Sequence, residues 1–525
     1  MRDFHLPGRS SVFASQGLCA TSHPIATRIG VDLLRSGGNA VDAAVGMAAI
    51  LGVCEPAMTG LYGDCFALIK RPGEAPRGLN ASGAAPAGLD TSDLIEGGAL
   101  QIPNDHPAGI TLPGAVDGFC KLHGDYGQLG LDQVLRPAID NAQAGVPVAP
   151  RVAFDWARWH GSLHGVARDY YLKKGAPYEA GDIFRAPGQA EVLRRIAENG
   201  RAGFYEGDVA DDLIASLQAL GASHNQDDLS SVEADYVTPM SVLYKGHRLH
   251  ELPPNSQGPM ALLLAQMIEQ FDLSGMDPTG AERAHLEAEL GKLAFDARDR
   301  FVGDPALSGR MDHMLAPETA RHLAGLYQPG VVIDQAPLLT ESAHKETVYL
   351  CAVDSDGLMV SMIYSIFKDF GSGRASDKYG ILFHNRGCGF NLLPGHPNEA
   401  RPGRRPMHTI IPALLEEPSG ALTAFGVMGG QYQAVGHARY LSNVVDYAMS
   451  PQEAIDAPRS FAIDGELKVE RGYAPEVRDA LANFGHKVTV PDTPIGGAQA
   501  ARWDPAKGVI EGASDPRKDG IALGY

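Results

Sequence analysis

The sequence predicts an α+β fold, with strands paired as hairpins beside helices, and three stretches carry that prediction. Residues 347–365 hold two runs rich in Val, Ile, Leu and Tyr on either side of Ser355-Asp356-Gly357, the Asp-Gly signal of a hairpin. Residues 422–448 pass from an apolar strand through Gly429-Gly430 into a helix beginning near Tyr432. Residues 40–53 are a run of small apolar side chains holding Asp42, too short to span a bilayer and so read as a buried helix.

Length and charge bound the rest. A chain of 525 residues exceeds a typical single core, so one large layered domain or two units are both open. A formal charge of −19 and a pI near 5.4 argue against nucleic acid or an anionic membrane surface as partner. Residues 1–20 include Arg2, Asp3, His5 and Arg9 and lack an apolar core, so no export signal is expected. The six cysteines show no Cys-x-x-Cys pairing, which suits reduced thiols and a cytoplasmic location. There is no His-Glu-x-x-His, Walker loop, Gly-x-Ser-x-Gly elbow or solenoid repeat, and neither a metal nor an organic cofactor is expected.

Taken in order, residues 24–34 read as a helix broken at Gly37-Gly38-Asn39 before the buried helix begins. Gly60 and Gly63 lie in a turn before a strand at 66–69; no Lys-Ser/Thr follows, so the turn is not a phosphate loop. An amphipathic helix is expected at 132–146, and Trp156 and Trp159 fall in a helical insertion. A strand at 244–252 runs into Pro253-Pro254-Asn255-Ser256-Gln257-Gly258. Helices follow at 260–271 and 284–301, the latter with Leu286, Leu290 and Leu293 at helical spacing. Its terminal charges, Asp299 and Arg300, are read as capping and tethering groups. Residues 306–346, rich in Pro, His and Ala, read as a poorly ordered run.

The hairpin also carries chemistry. A three-residue loop sets Asp354 opposite Leu358, and the same register sets Thr347 opposite Ser365. Alone, two such hydroxyls are ordinary strand residues. Several blocks change that reading: Gly-Gly-Asn-Ala-Val-Asp-Ala-Ala at 37–44 with Glu55-Pro56, residues 110–119, residues 299–305, the strand–Gly-Gly–helix unit, Gly512 to Arg517, and Gly524-Tyr525. Together they resemble the gamma-glutamyltransferase family of N-terminal-nucleophile hydrolases along nearly the whole chain. The resemblance implies a four-layer αββα sandwich with additional helices. It implies a proenzyme cut between Glu346 and Thr347, giving a large subunit (1–346) and a small subunit (347–525) that interleave in one domain. It makes Thr347 the nucleophile. A Thr hydroxyl needs a base, and the freed α-amine of the same residue, with a pKa near ~8, supplies one. Ser365 would orient that amine. Gly429 and Gly430, otherwise a simple tight turn, would offer N–H groups to an oxyanion at a helix N-terminus.

The departures from that family concern the substrate. Where the gamma-glutamyl enzymes hold the glutamyl α-carboxylate with an Arg and a Ser-Ser pair, this chain has Ser82 and His408-Thr409. Their amine-binding Asp is Gly389 here, before Phe390, and an Asn two residues past Ser365 is Phe367. In their place stand Asn385-Arg386-Gly387 and the stretch from Arg405 to Pro412, which resembles a branch containing oxamate amidohydrolases and glutathione-hydrolase-like proteins. Arg386 reads either as a planar grip for a substrate carboxylate or as a structural ion-pair residue. His408 reads either as a pocket hydrogen-bonder or as a core histidine, and Ser82 and Thr409 are further substrate-binding candidates. The expected function is that of a self-cleaving amidohydrolase acting on a small carboxylate-bearing amide of the oxamate type. A glutathione hydrolase or transpeptidase, a cephalosporin-acylase-like amidase, and an unprocessed non-enzymatic homologue are the alternatives. The expected partners are the amide substrate and the two subunits of one precursor, with homo-oligomerisation left open.

Overall fold

Two seven-stranded sheets stack face to face, and the strands alternate across each hydrogen-bonded ladder in a way that mixes early and late parts of the chain. The computed structural model describes residues 8–333 and 347–525. One sheet runs Ile521–Gly524, Leu18–Thr21, Val348–Val353, Met359–Ser365, Asp64–Lys70, Arg77–Ala81 and Asp235–Val237. The other runs Val12–Ala14, Val509–Ser514, Gly497–Asp504, Leu422–Met428, Ala413–Glu416, His247–Glu251 and Met240–Tyr244. All of these pairings are antiparallel. Phe66, Leu68, Tyr349, Cys351 and Ile363 from the first sheet meet Leu414, Ala424, Met428 and Ala501 from the second, forming the inner apolar layer.

Both central strands of the first sheet are buried along their whole length. A strand covered on two faces reads as a continuous apolar run, which is why residues 348–353 show no alternation. The outer face of that sheet is covered by helices including Pro24–Arg35 and Ala40–Cys54; every residue of the latter is buried. An Asn39–Asp42 capping box starts it, and Asp42 also accepts from the Gln128 N–H. The other sheet is covered by Gly258–Ile268, Ala281–Phe301 and Tyr432–Val445. The order helix, sheet, sheet, helix is the αββα sandwich.

Two sequence readings are corrected. The expected strand at 244–252 is interrupted at Lys245 and Gly246, both with positive φ, so it is the turn and second strand of a hairpin. Within the run from 306, residues 306–333 hold helices at Met311–Met314 and Pro317–Ala324, because Met311, Met314, Ala320 and Ala324 reach the core. Residues 334–346, including Glu346, lie outside the described residues. The six cysteines form no disulfide with one another, and no helix among the described residues is long and apolar enough to cross a membrane.

Candidate active site

The hairpin forms as its loop chemistry dictates. Gly357 takes φ +77°, the Gly357 N–H closes onto the Asp354 carbonyl at 3.1 Å, and Asp354 Oδ1 accepts from the Leu358 N–H. Pairing of Val348 with Tyr364 through Val353 with Met359 sets Thr347 opposite Ser365 when continued one step. On the far side of the same strand Ser365 pairs with Asp64. Thr347, Ser365 and Asp64 therefore lie abreast on adjacent strands, and all three are buried. Ser365 Oγ accepts the Phe367 N–H at 2.8 Å.

The glycine turn reaches the same place from the second sheet. Gly429 and Gly430 have φ +114° and +56°, and their carbonyls accept from the N–H groups of Tyr432 and Gln433 as the helix begins. Gln433, in the first turn of that helix, approaches the Thr347 hydroxyl, with Nε2 3.5 Å from Oγ1, while its Oε1 accepts from the Ile411 N–H at 3.0 Å. Behind the turn, Gln257 Nε2 donates to the carbonyls of Gly430 (3.0 Å) and Thr409 (2.6 Å). The buried Arg298 in turn donates to the side-chain carbonyls of Gln257 and Gln431. Arg298, one residue before the charges read as capping and tethering groups, ties this helix end to the glycine turn, whereas Arg300 pairs with Asp296 on its own helix.

Asp64 gathers a buried polar cluster on the neighbouring strand. Its Oδ2 lies 3.1 Å from His384 Nδ1, 3.4 Å from Arg386 Nε and 3.9 Å from His408 Nε2, and its Oδ1 accepts from the Gly83 N–H at 2.9 Å. Burial alone would raise the Asp64 pKa, but His384, His408 and Arg386 outweigh it and hold the carboxyl well below the usual range. Burial, followed by the neighbouring Arg386 charge, keeps His408 neutral. The Arg386 guanidinium lies over the Phe367 ring, 4.5 Å from its centroid. Its Nη1 and Nη2 atoms, both ring nitrogens of His408 and the Thr409 hydroxyl are buried without hydrogen-bond partners among the described residues. An unpartnered buried donor costs roughly 1–3 kcal/mol, and more when it is charged, so a cluster of them is a site prepared for something else. Ser82 differs: its Oγ donates to Asn80 Oδ1 (2.6 Å) and accepts from Asn255 Nδ2 (3.2 Å), so its hydroxyl serves the wall. Asn255 and Gln257 bracket His408 through backbone bonds, which places the Pro-Pro loop in the site.

The structure thus brings Thr347, Ser365, Gly429, Gly430, Arg386, His408, Thr409 and Ser82 around one buried region. Sequence reasoning missed Asp64, His384, Gln257, Arg298 and Gln433. Asp64 stood in the quoted Gly-Leu-Tyr-Gly-Asp turn, and only its pairing with Ser365 reveals its place.

A gamma-glutamyltranspeptidase family model matches residues 26–525. The chain belongs to the gamma-glutamyltranspeptidase family. Membership makes it an enzyme of amide hydrolysis or transpeptidation. It is 33% identical to the glutathione hydrolase-like YwrD proenzyme of Bacillus subtilis, over 98% of this chain and 99% of that one. It is 32% identical to the oxamate amidohydrolase proenzyme of Klebsiella pneumoniae, over 98% and 100%. The solved structure of a cephalosporin acylase from Bacillus halodurans superposes with a TM-score of 0.91 at 34% identity, covering 100% of this chain and 99% of that one. That superposition gives this family member the N-terminal-nucleophile hydrolase fold.

Proposed function

We propose that the chain is a proenzyme that cuts itself before Thr347, dividing into subunits 1–346 and 347–525, and then hydrolyses a small amide bearing a carboxylate but no α-amine. Maturation begins when the Thr347 hydroxyl attacks the carbonyl of residue 346; the peptide nitrogen leaves as the Thr347 amine, and water hydrolyses the resulting ester. In turnover the freed amine takes the hydroxyl proton as Oγ1 attacks the substrate carbonyl. The N–H groups of Gly429 and Gly430 hold the oxyanion, and Ser365 orients the amine. The proton then passes to the leaving nitrogen, and water releases the acid from the acyl-enzyme.

One observation carries the substrate reading: Arg386 presents two buried Nη donors without partners among the described residues, a fork that a carboxylate fits. Gly389 stands where the related enzymes have the Asp that meets an amino group. His408 and Thr409 supply neutral polar atoms beside the guanidinium. A second reading within the same class rests on spacing. Asp64, which holds Arg386, is two strands from Thr347, roughly 10 Å at the usual strand separation. That distance suits the monoamide of a four- or five-carbon diacid better than oxamate. The test is kcat/KM on one preparation for oxamate, a glutaric acid monoamide and glutathione. An acid amide should win, and the order of the first two decides chain length. If glutathione wins clearly, other groups meet its amine and the acid-amide reading is wrong.

A further inference from the structure

Away from the catalytic region, the Ala281–Phe301 helix packs on the small three-stranded sheet of Ser460–Ile463, Glu466–Val469 and Val488–Thr489. Ala284 and Ala288 meet Leu467, Val469, Tyr473 and Leu481 there. One turn apart on that helix, His285 and Glu289 point to the same place, because residues i and i+4 share a face. His486, between the Pro475–Asn483 helix and the Val488–Thr489 strand, meets them from the sheet side. All three side chains are buried, and Tyr327 and Phe484 wall the cluster.

The three facing atoms form a triangle. His285 Nδ1 is 2.8 Å from His486 Nε2 and 4.0 Å from Glu289 Oε1, and His486 Nε2 is 3.7 Å from Glu289 Oε1. The point equidistant from the corners of a triangle with these sides lies about 2.1 Å from each, which is the bond length of zinc to imidazole nitrogen and carboxylate oxygen. The orienting contacts also suit ligands. His285 turns its other nitrogen, Nε2, toward the Gln328 carbonyl at 3.4 Å, and Glu289 Oε2 accepts from the Ile333 N–H at 2.6 Å. Such partners leave Nδ1 and Oε1 facing inward with lone pairs.

We infer that His285, Glu289 and His486 form a binding site for a divalent first-row transition ion, zinc foremost. Two imidazoles and one carboxylate favour zinc over magnesium or calcium, which prefer oxygen cages. Lys292 modulates it. Its ammonium donates to Glu289 Oε1 at 2.8 Å and reaches the Ile333 carbonyl at 3.2 Å, so it competes with the ion for the carboxylate. The site joins residues on both sides of Thr347: His285, Glu289 and the supporting Gln328 and Ile333 precede it, and His486 follows it. An ion there would clamp the last described part of the 1–346 segment to the 347–525 segment.

The test is titration of the chelator-stripped full-length protein with Co(II) and, separately, Zn(II). Expected are one ion per chain at about micromolar affinity, visible d–d bands without thiolate charge-transfer absorption, and a rise in Tm with zinc but not magnesium. His486→Ala and Glu289→Gln should each weaken binding tenfold or more, and Lys292→Gln should tighten it. Wild-type protein that takes up no stoichiometric Co(II) or Zn(II) overturns the site, whatever the variants do. So does a thiolate band, which would assign the ion to cysteine, or unchanged affinity in a folded His486→Ala protein.

Discussion

The Thr347 hydroxyl is buried, faces Ser365 across a hairpin and has the Gln433 amide 3.5 Å away, so small changes here separate maturation from turnover. Thr347→Ala should yield one uncut, inactive chain on a denaturing gel; fragments split before residue 347 in that variant would sink the assignment. Thr347→Ser should process slowly and retain some activity. Arg386→Ala should raise KM for an acidic amide, and Arg386→Lys should restore it only in part, since an ammonium lacks the two-pronged fork. Asp64 sets the electrostatics beneath that fork. Its native pKa is held low by His384, His408 and Arg386 against the effect of burial. A depressed native pKa contributes stability that is present above the unfolded value, near ~4, and is lost as pH falls through the native one. Asp64→Asn should therefore lower Tm at neutral pH by leaving Arg386 buried without its counter-ion, a loss of about 3–5 kcal/mol. Melting curves from pH 7 downward check the sign: the gap between variant and wild type should narrow below about pH 4.

At the scale of the element, the strand–Gly-Gly–helix unit is where backbone conformation bears on the oxyanion donors we propose. Gly429 has φ +114°, outside the left-handed well that other residues enter, and a Cβ there would stand 2.9 Å from the Gly496 Cα. Gly430, at φ +56°, lies inside that well. Gly429→Ala should therefore be the more harmful change, lowering both Tm and kcat. Gly430→Ala should fold and lose roughly 10²-fold in kcat through disturbed oxyanion donors. Steady-state kinetics beside thermal melts distinguish the two, and a Gly430→Ala enzyme with wild-type kcat removes that residue from the site. The helix that follows is fixed to its strand by His437, whose Nε2 accepts from the Val427 N–H while Nδ1 lies 2.6 Å from Glu251. Gln433 therefore meets Thr347 from a braced element.

Across the whole molecule, the two central strands of the first sheet follow residue 347 and are flanked by strands that precede it. The second sheet is mixed in the same way, with His247–Glu251 paired to Ala413–Glu416 and Val12–Ala14 paired to Val509–Ser514. Cutting before Thr347 leaves every one of these ladders in place. The processed protein should show two bands under denaturing conditions yet elute with its full mass from a native sizing column. Separation of the fragments without denaturant would contradict the interleaved sheets.

Local signals are short-range, and where the determinants were short-range the sequence sufficed. A three-residue Ser355-Asp356-Gly357 loop sets a register that places Thr347 beside Ser365, and the observed pairing has that register. The run at 40–53, apolar apart from Asp42, was readable as a buried helix, and the Gly-Gly turn before a helix was readable as such. The motifs that resemble the family added the sandwich, which the structure has, and the cut before Thr347 that we propose. What remained open depended on neighbours hundreds of residues away. Whether Arg386 was a grip or an ion-pair residue turned on Asp64, 322 positions distant; the structure shows the ion pair, with Nε toward the carboxylate, and leaves both Nη atoms without partners among the described residues, which is the basis of the grip we propose. His408, Gln257 and Arg298 acquire their places only when the Pro-Pro loop, the long helix and the glycine turn converge. Side-chain polarity is written locally; which buried polar atoms find partners is decided by packing between sheets and helices, and that is what turns a set of residues into a site.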